Sequence, residues 1–319
     1  MNELAIPMYK TRSAVLFIIF NRPDATNRVF DRIKAAKPPR LYVAADGPRA
    51  DLPDEVALCR ETRKIAAQID WECEVKTLFR ESNWGCKEAV SSAISWFFDN
   101  EEEGIILEDD CLPANSFFRF CDTLLDKYRF DTRIRHIAGG NFQHGKKWGD
   151  DSYYFSAISH VWGWASWRRV WKDYDKELNQ YKESEVREKL ANVFNDPLIV
   201  ESWHHIFKEL KAGKIDTWDY QLGFTNYFNN GLCIIPNYNL VSNIGFGSNA
   251  THTTETSSIY ANIPIVEIDE ITHPLYFVPE KQADTYTLND QFNVVERRRK
   301  QNLLRRRFKR WLRSILTKK

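Results

Sequence analysis

Apolar and polar positions alternate along this chain in a repeating order. Residues 14–20 (AVLFIIF) are an unbroken apolar run, followed by Asn21, Arg22 and Pro23 and then by Val29, Phe30 and Ile33 at helical spacing. This predicts a strand, a turn and a helix. The order recurs in residues 41–46 (LYVAAD) before a helical stretch over about 54–68, and in 75–79 (VKTLF) before ESNWGC and a helix to about residue 98. A fourth run, residues 104–107 (GIIL), ends in three successive acids, Glu108, Asp109 and Asp110. Strands alternating with helices imply an α/β fold, a mostly parallel sheet with right-handed crossovers and helices on both faces.

Ligands of such sheets bind beyond the carboxyl ends of the strands. Four successive strand ends here carry polar or turn-forming residues: Asn21 with Arg22, Asp46 with Gly47, Asn83 with Gly85, and the acidic triplet. Singly each is ordinary turn chemistry; together they outline a site. Three adjacent carboxylates repel one another unless a cation or tight hydrogen bonding holds them. The hard oxygen donors suit Mg²⁺ or Mn²⁺ shared with a substrate's phosphates, while a plain role in capping the helix after Pro113 fits the same residues. Residues 140–147 (GNFQHGKK) imitate a phosphate loop but put Lys147 where Ser or Thr must hold the metal, so a diphosphate would depend on the acidic cluster.

Further along, Trp167, Val170, Trp171 and Tyr174 fall at helical spacing and predict a core helix. The Trp162, Gly163, Trp164 turn before it is a candidate ligand wall, because glycine permits close backbone approach. Asp216 and Thr217 look like a helix start, which places Trp218 beside the site and Asp219 in a first helical turn. An anion there is stabilised by the helix N-terminus, whether as a cap or as a general base. A strand over residues 232–236 and a polar loop through His252 follow, and residues 253–293 carry no clear pattern.

Composition changes the picture at one end. The net charge is +1, yet residues 296–319 hold 12 Lys and Arg against one acid, leaving 33 basic and 43 acidic residues before them. Within this tail Leu304, Phe308, Trp311, Leu312, Ile315 and Leu316 share one helical sector, with Arg306, Arg307, Arg310 and Arg313 away from it, the pattern of an amphipathic helix lying on an anionic membrane surface. An apolar stripe has no use on a phosphate backbone, which argues against nucleic acid. The longest early apolar run has 7 residues, far short of the roughly 20 that span a bilayer. The six cysteines show no metal or disulfide spacing. The expected location is the cytoplasmic face of a membrane.

The sequence ILEDDCLPANSFFRF, the GWASW segment, and WDYQL followed by a strand and NATHT together resemble glycosyltransferases of the GT-A fold, most of all the N-acetylglucosaminyltransferase I branch and bacterial family-2-like enzymes. The resemblance spans residues 13–254. It implies a metal-dependent, inverting sugar transferase whose Rossmann-like domain occupies residues 1–255, with a nucleotide-binding half over about 13–111 and an acceptor half over about 112–255. A 256–295 extension and the 296–319 tail would follow. By the same resemblance Asp110 coordinates Mn²⁺ or Mg²⁺ on the donor diphosphate, Glu108 and Asp109 serve the nucleotide side, Arg22 and Asp46 occupy nucleotide-binding positions, and Asp219 is the base. A nucleotide-sugar donor and a glycan or lipid-linked acceptor would be the partners, with Trp162, Gly163, Trp164, Trp218 and His252 as candidate substrate-binding residues. The competing readings are a non-catalytic, membrane-tethered binding scaffold and a sugar-phosphate nucleotidyltransferase. The latter is disfavoured because FNRPDATNR lacks a Gly-rich loop after the first strand.

Overall fold

A computed structural model describes residues 9–246 and 259–303. The first half is the expected alternation: β1 (Ala14–Ile19), α1 (Pro23–Ala36), β2 (Arg40–Ala45), α2 (Glu55–Ala66), β3 (Glu74–Phe79), α3 (Cys86–Asn100) and β4 (Glu103–Glu108). A short β5 (Cys111–Pro113), α4 (Asn115–Tyr128), β6 (Ile134–Ala138), β7 (Tyr153–Ser156) and β8 (Trp164–Trp167) follow. The rest comprises α5 (Arg168–Trp171), α6 (Glu183–Val193), α7 (Pro197–Lys211), α8 (Asp219–Phe228), β9 (Leu232–Pro236), β10 (Val241–Asn243) and α9 (Lys281–Gln291).

Eight strands form one sheet in the order β3-β2-β1-β4-β8-β6-β9-β7. Strands β3, β2, β1 and β4 are parallel, β8 runs against both β4 and β6, β9 is parallel to β6, and β7 closes the edge antiparallel to β9. Only β8 and β7 therefore oppose the other six. The fold is α/β, a mostly parallel sheet flanked by helices. The central strands are continuously apolar because helices cover both faces. On one face α1 and α4 bury Phe30, Phe118 and Leu124 against Phe17 and Leu107; on the other, α3 packs Ile94 and Phe97 against Leu16, Tyr42 and Ile106. A third core joins α6, α7 and α8 to Leu288 of α9 and to Val294.

Local chemistry sets several element ends. Pro23 occupies the first turn of α1, where its missing N–H costs nothing, and Pro197 does the same for α7 behind an Asp196 cap. The expected helix through Trp167 and Tyr174 is replaced by β8 and the four-residue α5. Trp164 and Trp167 point into opposite cores, as strand alternation demands of positions three apart. The segment before α9, unpatterned in the sequence, is woven into the body: Glu267 accepts from the Asn115 and Ser116 N–H groups at the start of α4 (2.8 and 2.7 Å), and Phe277 stacks on Phe155 at 5.0 Å. Among the described residues no helix is long and apolar enough to cross a membrane. The amphipathic tail from Leu304 onward, and His252, lie outside the described residues.

Candidate active site

A cavity of about 730 Å³ opens where the carboxyl ends of β1, β2 and β4 meet the loop before α3. Because β8 runs antiparallel, with Trp164 opposite Ile106, the residues entering β8 arrive at that same end of β4. Val161 and Trp162 consequently form part of the wall. The segment entering α8 adds Thr217, Trp218 and Asp219 to the lining.

What carries that segment to the site is Asp216. The sequence pattern places it at the start of the following helix; in the fold it caps a distant one, each oxygen accepting one backbone N–H of α3, from Cys86 and Lys87, both at 2.9 Å. Gly85, at φ +80°, makes the approach feasible, since a Cβ there would lie 2.8 Å from the Asp216 Oδ2. Three residues later Asp219 opens α8, and the Thr217 hydroxyl donates to its Oδ1. A carboxylate in that first turn is favoured as the anion by the helix N-terminus.

At the floor, Asp109 accepts from the Phe20 N–H at 3.0 Å, and Arg22 donates to Asp110 at 2.7 Å and to Asp109 at 3.4 Å. Burial works against the charge of Arg22, but Asp109 and Asp110 outweigh it and hold the guanidinium protonated. Burial also pushes Glu108 and Asp109 well above the usual carboxylate range; the charges of Asp110, Asp109 and Asp219 add to the effect at Glu108, while Arg22 opposes it at Asp109. Glu108 lines the cavity with no side-chain hydrogen-bond partner among the described residues.

That arrangement fits a divalent cation. The donors are hard carboxylate oxygens, crowded enough to resist ionisation, with one left unpartnered at the cavity wall. Among the described residues no three potential ligands already surround one point, so a cation here would take one or two carboxylates and complete its shell from a bound ligand, the habit of Mg²⁺.

The nucleotide-side candidates divide. Asp46 lines the cavity but spends its oxygens on the Gly47 and Trp84 N–H groups and the Asn83 amide, holding the loop before α3 against the end of β2; burial nonetheless raises its pKa. Asn83 and Gly85 line the cavity with it. Asn21 turns away and donates to Glu55 at 2.9 Å, because the residue beside Phe20 faces the α2 side. Trp164 is fully buried, stacked between His136 and Trp218, and the Gly163 carbonyl is spent on the Gly139 N–H at 2.7 Å, with Val241 packed where a Cβ would stand. Of the Trp162–Gly163–Trp164 turn only Trp162 reaches the cavity. Sequence reasoning missed Arg49 and Arg80, which line it: Arg80 directly follows β3 and Arg49 lies in the loop after β2, but neither belongs to a motif.

No protein-family model matches the chain, and a search of curated protein sequences finds no match. Among solved structures the chain is similar to a UDP-glucose pyrophosphorylase complexed with UDP-glucose, at 10% identity over 51% of this chain and 78% of that one, with a TM-score of 0.30. It is similar also to 4-diphosphocytidyl-2C-methyl-D-erythritol synthase from Anaerococcus prevotii, at 10% identity over 68% of this chain and 98% of that one, TM-score 0.32. A third is glucosyl-3-phosphoglycerate synthase from Mycobacterium tuberculosis in complex with Mn²⁺, UDP-glucose and phosphoglyceric acid, at 12% identity over 52% of this chain and 66% of that one, TM-score 0.27. Likenesses of that size carry no argument; the chemistry of the cavity is read from its own side chains.

Proposed function

We propose that the chain is a metal-dependent, inverting glycosyltransferase of the GT-A type that moves a sugar from a nucleotide diphosphate to a hydroxyl of a glycan or lipid-linked acceptor. The observation supporting this most directly is that one cavity is lined both by the acidic end of β4 and by Asp219 of the α8 start. Transfer with inversion needs charge neutralisation at the leaving group and a base on the opposite face of the sugar.

Arg22, Arg49 and Arg80 give the cavity three guanidinium groups, the cationic complement of a nucleoside diphosphate. Asp110 would hold the divalent ion, whose contribution when bound is to offset the charge developing on the departing diphosphate. Arg22, already paired with both aspartates, is placed to exchange those partners for a phosphate oxygen. Asp219, anchored by the Thr217 hydroxyl and the start of α8, receives the proton of the acceptor hydroxyl. Trp162 and Trp218 wall the space between and exclude water. The basic amphipathic tail holds the enzyme on the cytoplasmic face of an anionic membrane, where lipid-linked acceptors are presented.

Incubation with Mn²⁺ and a panel of nucleotide-sugars separates the readings. Release of nucleoside diphosphate supports transfer; pyrophosphate formed with a sugar phosphate assigns a nucleotidyltransferase; neither leaves a binding scaffold. Asp219→Asn is expected to lower turnover about 10² to 10⁴-fold while donor affinity is kept. Turnover within about threefold of the parent, some 0.7 kcal/mol, would reduce Asp219 to a cap.

A further inference from the structure

A second cavity, of about 240 Å³, lies on the other side of Asp219. The two share Val161, Trp162, Asp219 and Tyr220, so the carboxylate stands in the partition between them. Their chemistry differs. Three arginines line the first; in the second, Asp219 is the one carboxylic acid among the described residues, with no Lys or Arg beside it, and the remainder is aromatic, aliphatic or uncharged polar.

Phe142 is the centre of the aromatic part. Its ring makes edge contacts with His160 (centroids 4.4 Å apart), Trp162 (4.8 Å) and Tyr260 (5.3 Å). The ring is held from both sides by buried amides: Asn141 donates to the Pro236 carbonyl at 2.6 Å, and Gln143 to the Thr287 hydroxyl at 2.7 Å. The box is thus preformed. His160 is buried and kept neutral by that burial, and its ring nitrogens have no hydrogen-bond partner among the described residues although the side chain lines the cavity. A neutral imidazole offers one donor and one acceptor.

We infer that this second cavity is the acceptor subsite and takes the terminal pyranose ring of an uncharged glycan. The inference rests on the transferase reading and adds the class of acceptor. An anionic acceptor group would have to sit beside Asp219 with no cation among the described lining residues to meet it, whereas a sugar's C–H face stacks on aromatic rings and its hydroxyls reach His160. The volume is below the roughly 300 to 1,000 Å³ of pockets for drug-sized ligands, which suits one ring and excludes two. A ring seated there presents a hydroxyl to Asp219, and the proton of that O–H passes to the carboxylate as the oxygen bonds to the donor's anomeric carbon and the diphosphate leaves.

The test uses the full chain with methyl glycosides of the common hexoses, N-acetylhexosamines and deoxyhexoses, their binding read by saturation-transfer NMR, with UDP and Mn²⁺ added in a second arm. At least one glycoside is expected to bind without displacement by UDP. Phe142→Leu and His160→Phe should each weaken it about three- to tenfold, the scale of one lost ring contact or hydrogen bond. Glucose 6-phosphate should bind more weakly than methyl glucoside. The inference is overturned if no glycoside binds, if UDP competes with it, if both variants bind as the parent does, or if the phosphorylated sugar binds tighter. Glycoside binding that meets these expectations in a protein with no nucleotide-sugar turnover would keep the subsite and remove the transferase reading; turnover with any overturning result would do the reverse.

Discussion

Asp216→Ala tests whether a cap on one helix positions the base on another. The carboxylate gives one oxygen to each of two backbone N–H groups at 2.9 Å, at the start of the 15-residue α3. Losing an N-terminal cap typically costs about 1 kcal/mol, and up to about 2 where the acceptor is charged and favourably placed against the helix dipole. Both freed N–H groups lie near the surface and regain water, so about 1 to 2 kcal/mol is the expected loss. For a domain of this size that lowers Tm by a few degrees, on the order of 2 to 4 °C per kcal/mol. Turnover should fall further than this. At an assay temperature well below Tm the variant remains folded, yet the 216–219 segment has lost its tether to α3, and Asp219 depends on that segment for its position across the cavity. Asp216→Asn, which keeps one acceptor oxygen, should fall between the two proteins. Scanning calorimetry and nucleoside diphosphate release, measured on all three, provide the comparison. A Tm unchanged within about 1 °C for the alanine variant, or turnover unchanged beside a lowered Tm, would refute the coupling.

Asp110→Ala should abolish Mn²⁺-dependent binding of a nucleotide-sugar in titration calorimetry, because it removes the carboxylate that would hold the ion, while leaving the circular dichroism spectrum intact. Truncation after residue 303 should move the protein from anionic liposomes to the supernatant in sedimentation, and moderate salt should do the same to the full chain; the cut spares Arg297 and Arg298, which bond Ser202 and Asp196. The contribution of His136 to stability should fall on acidification below pH 6.5. Burial depresses His136 from 6.5 to about 4, so the unfolded chain takes up a proton there that the folded chain refuses; stability is full above pH 6.5 and is lost as pH falls toward 4. This amounts to about 2 kcal/mol at pH 5, so between pH 7 and 5 the urea midpoint of the parent should fall relative to that of His136→Gln.

The first half of the fold was legible because burial on both faces writes strands β1, β2 and β4 as unbroken apolar runs, and because the order of the strand ends places their polar residues at one edge. Direction at each end was not. Phe20, Asn21 and Arg22 are consecutive, yet Phe20 and Arg22 line the cavity and Asn21 bonds Glu55, a matter of side-chain alternation at a strand exit that a motif does not record. In the GWASW segment tryptophans three apart satisfy a helical period as readily as two faces of a strand. Pairing between β4 and β6 decided for the strand, and it buried Trp164 in doing so.

Asp219 and the acid cluster were each visible in sequence, but nothing local says that they meet. Their meeting depends on Asp216, whose partner amides stand 130 and 129 residues earlier in the chain, and on an antiparallel β8 that returns Trp162 to the end of β4. The second cavity is more remote still from any motif, since Phe142, His160, Asp219, Tyr260 and Thr287 come from five separate segments. A site assembled in this way can change its acceptor independently of its donor. The larger cavity draws its arginines from the β1, β2 and β3 ends, the aromatic box draws nothing from them, and the two are joined through the partition that carries Asp219. On the proposed reading, substitution at Phe142 or His160 should act on the acceptor with the diphosphate side intact, whereas substitution at Asp216 should disturb both, because Asp219 and Tyr220, which follow the segment it holds, line both cavities.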